Sequence, residues 1–211
     1  MNTRRFQRPL TSVAELEALI GTPGELVLKK QLAELDGFMA TFIEESPFLL
    51  LGTFGREGRC DVSPRGDGFG LAKVLDPKTI VIPDRRGNRR ADSLRNILET
   101  GRVGLLFLIP GRGETLRVNG AACLICDDDV LAPLAADGKV PLVGIAVDVE
   151  ECYFQCAKAI LRSGLWNPRD GDQPSSLPCL AEILVEQTKI EGQTVESLNQ
   201  LIEDSYANNL Y

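Results

Sequence analysis

Between residues 46 and 155 the chain is written as short apolar runs separated by tight turns, and this restricts the fold more than any other feature. Phe48 to Phe54 is one run, and Gly55-Arg56-Glu57-Gly58 after it reads as a hairpin turn with glycines where positive φ costs little. Arg59 to Pro64 returns, and Arg65 to Gly70 is a glycine-rich loop. Leu71 to Leu75, an Asp76-Pro77 turn and Thr79 to Pro83 predict a second hairpin. An amphipathic helix carrying Leu94, Ile97 and Leu98 follows and ends at Gly101. Val103 to Ile109, Glu114 to Ile125 and roughly Leu142 to Val149 complete the strands, with a short helix from Asp127 to Ala136 between the last two. Strands joined by turns this short pair antiparallel, because a parallel pair needs a crossover of about a dozen residues. Six or seven such strands, with one helix after the fourth, predict a closed or nearly closed barrel.

The flanks read as helical. Ser12-Val13-Ala14-Glu15 is a capping box ahead of Leu16, Leu19 and Ile20, and Thr22-Pro23-Gly24 breaks that segment. A second helical stretch is expected from Glu25 to Leu35, and Asp36 opens a third through Phe38, Met39 and Phe42. From about Cys156 the chain is helical again, with a break at Pro174 to Pro178 and a last helix through Leu198, Leu201 and Ile202. The 211 residues are therefore expected to form one domain: an extension over 1–45, a barrel core over 46–155 and a helical segment over 156–211.

The chain contains no histidine, which excludes a Ser-His-Asp triad, a Cys-His dyad and His-ligated zinc. A net charge of −7 argues against non-specific nucleic-acid binding. No apolar run approaches the ~20 residues that a membrane helix needs. Met1 to Leu10 has three arginines with no apolar stretch behind them, unlike a secretory signal. The six cysteines are expected to be reduced, buried thiols of a cytoplasmic protein. Cys123 and Cys126 have half-knuckle spacing, but they fall in a strand, where residues three apart point to opposite faces, so no metal site is expected.

Three stretches carry chemistry. Arg85-Arg86-Gly87-Asn88-Arg89-Arg90 puts four arginines into six residues of an acidic chain. With Asn88 read as a helix N-cap, Arg89 and Arg90 enter the first turn, where cations are unfavourable unless an anion sits among them. A phosphate there would accept hydrogen bonds from the guanidinium groups, backbone N–H groups and Ser93. Ser63-Pro64-Arg65-Gly66 opens the glycine-rich loop. It precedes a hairpin strand rather than a helix, so it is no Rossmann fingerprint. It is either a flexible turn or a backbone surface for a flat ligand, with Arg65 at a polar edge. Lys158 and Arg162 lie four apart on one helical face ahead of Trp166, the chain's single tryptophan, which reads as a core or interface anchor.

At these stretches the sequence resembles the pyridoxamine 5′-phosphate oxidase-like split-barrel flavoproteins, in a bacterial subgroup of FMN-dependent enzymes. The resemblance spans roughly residues 35 to 168. It rests on Asp61-Val-Ser-Pro-Arg-Gly-Asp67, Ile82-Pro-Asp-Arg-Arg-Gly-Asn-Arg-Arg90 with Asp92-Ser-Leu-Arg95, Glu114-Thr-Leu-Arg-Val-Asn-Gly120, and Lys158-Ala with Arg162-Ser163 and Leu165-Trp166. It implies a six-stranded antiparallel split β-barrel and FMN as cofactor, with the phosphate on Arg89 and Arg90. The flavin ring would lie along Ser63, Pro64 and Arg65, with contacts from Pro83, Asp84 and Arg85 and a polar contact from Thr115. It further implies a homodimer with FMN sites at the interface and a small-molecule substrate. The sequence departs from the subgroup at Gln155, where histidine is expected, and the family's pyridoxamine-phosphate residues are not recognisable. An FMN-dependent oxidoreductase, a non-catalytic flavin carrier and a deazaflavin-dependent reductase all fit the residues.

Overall fold

The computed structural model describes residues 6–68, 70–167 and 177–208. Seven strands are present among them: β1 (Phe48–Phe54), β2 (Cys60–Gly66), β3 (Lys73–Asp76), β4 (Thr79–Pro83), β5 (Arg102–Leu108), β6 (Thr115–Ile125) and β7 (Gly144–Gln155). They form one antiparallel sheet in the order β2-β1-β5-β6-β7-β4-β3. The two ends of the sheet, β2 and β3, stay unpaired with each other, so the barrel is split between them. Seven strands agree with the six or seven read from the chain and are one more than the six that the family resemblance implies. The helices are α1 (Val13–Ile20), α2 (Glu25–Lys29), α3 (Gly37–Glu45), α4 (Asp92–Thr100), α5 (Asp128–Leu131), α6 (Lys158–Ser163), α7 (Leu180–Thr188) and α8 (Val195–Asn208).

One apolar cluster fills the barrel. β1 contributes Leu49 and Leu51, β4 Ile80 and Ile82, β5 Leu105 and Phe107, β6 Leu116 and Val118, and β7 Ile145, Val147 and Val149. The period-2 spacing places these side chains on one face. α3 closes the cluster with Met39, Phe42 and Ile43, and α4 adds Ile97. Asp36 caps α3 by accepting the Met39 N–H at 2.8 Å. The Gly101 N–H bonds to Ile97 O at 2.8 Å from a left-handed backbone, and so ends α4.

Long-range pairing overrides several local expectations. β7 continues to Gln155, because Thr115 to Ile125 offers it a partner along its whole length. That pairing needs Gly120: a Cβ there would lie 2.0 Å from the Asp148 carbonyl oxygen, at the register shift between Asn119 and Gly120. The stretch from Glu25 to Leu35 is helical only to Lys29, since Leu32 leaves to bridge with Cys152. Phe38, in the third helical stretch, and Leu98, counted on the apolar side of the amphipathic helix, face solvent. The Glu15 carboxylate bonds Thr11 N–H rather than completing a box with Ser12. Five of the six cysteines, all unpaired, are exposed and only Cys152 is buried, which corrects the buried-thiol expectation. Register sets Cys123 opposite Ala146 and Val118 opposite Cys152, so the cysteines of the two strands are not brought together. Phe69, Pro168 and most of the 174–178 break lie outside the described residues. No helix among the described residues is long and apolar enough to cross a membrane.

Candidate cofactor site

A cleft of about 640 Å³ runs from the β2 edge to the connection between β4 and α4. Its walls bring together Ser63, Pro64, Arg65 and Gly66 of β2, Pro83 at the end of β4, and Asp84, Arg85, Asn88, Arg89, Arg90 and Ser93 beyond it. β2 is an edge strand, which is where a proline such as Pro64 is tolerated. Five arginines and three aspartates line the cleft, an excess of positive charge in a chain of net −7.

The floor is a directed hydrogen-bond chain. Ser93, buried on the first turn of α4, donates its hydroxyl proton to Asp61 Oδ2 at 2.6 Å. Its Oγ lies 2.9 Å from Ser63 Oγ, so the proton between the two serines belongs to Ser63. Arg65 Nε donates to Ser63 Oγ at 3.4 Å and its Nη1 pairs with Asp84 at 2.5 Å. Ser93 was expected to face an anion. Its proton is committed to Asp61, and its role in the structure is to tie α4 to β2.

The arginine loop departs from the expected helix start. α4 begins at Asp92, not near Arg89, because Arg89 (φ 61°) and Ala91 (φ 55°) adopt left-handed backbone. Asn88 does not cap the helix. Its side-chain oxygen accepts the Arg90 N–H at 3.0 Å in a local turn. Each left-handed non-glycine residue costs about 1–2 kcal/mol, and strain of this kind gathers at functional sites. Arg85 pairs with Asp67 at 2.6 Å, and Arg90 pairs with Asp92, whose carboxylate holds the arginine's pKa above its ordinary value. Arg86 and Arg89 form no ion pair among the described residues. Arg86 was not singled out from the sequence, nor were Asp61 and Asp67; the four-arginine run and the Asp61–Asp67 motif were the available signals.

The remaining predicted residues stand elsewhere. Thr115 is buried at the start of β6 and donates to Gln155 Oε1 at 3.2 Å. Trp166 Nε1 donates to Arg112 O at 2.6 Å, and Lys158 and Arg162 are exposed on α6. None of these four lines the cleft. Among the described residues no cluster of three or more His, Cys, Asp or Glu side chains is placed to hold a metal.

Residues 35–156 match the family model described as pyridoxamine 5′-phosphate oxidase. The chain belongs to this family. The matched segment contains the whole sheet and the cleft, and excludes α1, α2 and α6–α8. HupZ of Group A Streptococcus is 16% identical, with 56% of this chain and 91% of that one covered and a TM-score of 0.47. General Stress Protein 26 of Bacillus anthracis is 15% identical (54% and 88% covered, TM-score 0.41). An FMN-binding protein of Syntrophomonas wolfei is 14% identical (66% and 96% covered, TM-score 0.42). No protein of curated function matches the chain in sequence.

Proposed function

We propose that the protein binds FMN in the cleft beside β2 and works as an FMN-dependent oxidoreductase on a small molecule. The supporting observation is that Ser63–Gly66 and the Arg85–Arg90 loop, about twenty residues apart in sequence, line one cleft. Its volume falls within the ~300–1,000 Å³ of ordinary ligand sites. The donor set suits a phosphorylated, flat ligand. Arg89 and Arg90, with Arg86 beside them, would hold the phosphate through charge-assisted hydrogen bonds. The edge of β2 would lie along the ring. Arg65, braced by Asp84 and Ser63, would meet the ring's polar edge and favour negative charge there. FMN would supply the redox chemistry, and the protein orients it and tunes its electrostatics.

Thr115, Lys158, Arg162 and Trp166 enter this reading through a second copy, whose cleft they would complete at a homodimer interface. Membership of the pyridoxamine 5′-phosphate oxidase family supports a flavin site of this kind. The test is the absorption spectrum of the protein as purified, followed by titration with FMN and reduction by NAD(P)H. Flavin bands and reduction support the enzyme. Flavin bands without turnover with any donor identify a carrier. Failure to take up FMN while a deazaflavin binds overturns the cofactor assignment.

A further inference from the structure

A second cavity, of about 540 Å³, lies against the arginine loop. Residues 84–87 and Arg89 line both this cavity and the cofactor cleft, so the loop is a partition between two compartments. The far wall is the segment 139–143, just ahead of β7. That wall is fixed at both ends. Ala136 and Lys139 exchange backbone hydrogen bonds at 3.1 and 2.9 Å around Asp137 (φ 49°) and Gly138 (φ 69°). Two left-handed residues in a two-residue loop make a tight hairpin turn, which sets the direction in which Lys139 leaves it. At the other end the Asp84 N–H donates to Val143 O at 2.9 Å, beside the Pro83–Gly144 pair of the β4–β7 ladder. Pro141 between them is buried. The cavity is therefore preformed, and its volume is that of an ordinary small-molecule site.

The lining joins two chemistries. Arg86, Arg89 and Lys139 bring positive charge. Asp84 is the one carboxylate among the described residues of the wall, and it is already paired with Arg65. Val140, Pro141, Leu142 and Val143 supply an apolar side, and Leu142 is 88% exposed, so the core does not claim it. A bare inorganic anion would leave that apolar side in water. An uncharged apolar ligand would strip water from the cations and give nothing back. A molecule with an anionic head and an apolar body satisfies both sides.

We propose that this cavity binds an amphipathic organic anion, with a carboxylate or phosphate head on Arg86, Arg89 and Lys139 and an apolar body on Val140 and Leu142. The head would draw on the same Arg86 and Arg89 guanidinium groups as a phosphate in the cofactor cleft. Two anions that share one pair of cations repel each other, so each occupant weakens the other, by the same factor in both directions. This coupling rests on the FMN reading; the site itself does not.

Calorimetric titration of the protein as purified tests the site. Octanoate and octyl phosphate differ in the head alone, while octan-1-ol and acetate each lack one half. One equivalent of octanoate or octyl phosphate should bind at least ~10-fold more tightly than octan-1-ol or acetate, and the tighter of the two names the head group. Leu142→Ser should weaken that binding about 10-fold, and Lys139→Gln about 3-fold. Both side chains are exposed, so neither change opens a void, and unchanged far-ultraviolet circular dichroism verifies folding. Leu26→Ser on α2, at a leucine 81% exposed, should leave the affinity as it was. Octan-1-ol binding as tightly as the anions, no saturable binding, or an undiminished affinity in Leu142→Ser each overturns the site. FMN titration with and without saturating octanoate is read separately, and an unchanged FMN affinity overturns the shared arginines. FMN uptake without octanoate binding sinks the cavity proposal alone, and octanoate binding by a protein that never takes up FMN sinks the flavin reading alone.

Discussion

The Arg65 guanidinium lies 2.5 Å from the Asp84 carboxylate, joining the edge of β2 to the residue that leaves β4. Both side chains are largely screened from water, at 17% and 26% exposure, so the pair spans the split in the barrel in a partly desolvated setting. Removing Asp84 leaves Arg65 with Ser63 alone. We expect Asp84→Ala to lower unfolding stability by about 1–3 kcal/mol, read from the urea midpoint. No loss would mean that the pair is solvated in solution.

Arg89→Ala/Arg90→Ala should weaken FMN binding at least ~100-fold, because each charge-assisted bond contributes about 1.5–3 kcal/mol. Flavin fluorescence titration checks this. Arg86→Ala should weaken binding less steeply, by about 1 kcal/mol at its exposed position. Unchanged affinity in the folded double variant would remove the phosphate from this loop.

Ala91→Gly should stabilise the protein without ligand by about 0.5–1 kcal/mol. Ala91 holds φ 55°, ψ 27°, a conformation in which glycine escapes the Cβ penalty. The gain is smaller than the full penalty, since glycine also loosens the unfolded chain. Calorimetry should show a raised Tm; a lowered one would show that the loop is not left-handed in solution.

The thiols should separate by reactivity. Burial first, and then the nearby acidic groups led by Asp36, pushes Cys152 up to about 11. The backbone N–H of Lys158 lowers the pKa of exposed Cys156. Iodoacetamide at pH 8 should therefore label Cys156 fastest and Cys152 slowest, as resolved by mass spectrometry. The folded pKa of Cys152 lies above its unfolded value, so its contribution to stability is complete below about pH 9 and is lost as pH rises towards 11. Denatured, non-reduced protein should titrate six free thiols.

Gly120→Ala should be severely destabilising, by at least about 2 kcal/mol, because its Cβ would overlap the Asp148 carbonyl oxygen in the β6–β7 ladder. Thermal unfolding checks it against Gly68→Ala, where a Cβ meets nothing within 4 Å.

Much of the frame was legible in sequence because its causes are local. Apolar runs bounded by turns marked β1 and β4 at their observed bounds, Asp36 marked the start of α3, and Gly101 marked the end of α4. The four-arginine run marked the connection that lines the cleft, and the structure supplies two of its arginines with carboxylate partners, Asp67 for Arg85 and Asp92 for Arg90. What local chemistry could not decide was which distant groups meet. Ser63 and Ser93 are thirty residues apart, and Arg65 and Asp84 nineteen; only the sheet order brings them into one cleft. The same holds for the helix start. Asn88 has the chemistry of a cap, but Arg89 and Ala91 take left-handed backbone in the connection between β4 and α4, so the helix waits until Asp92. β7 reached Gln155, past its sequence expectation, because β6 and Leu32 supplied hydrogen-bond partners that no neighbouring residue could. Periodicity and capping are written within a few residues; pairing, burial and electrostatic partnership depend on the geometry of the whole chain, and that is where the tertiary structure decided.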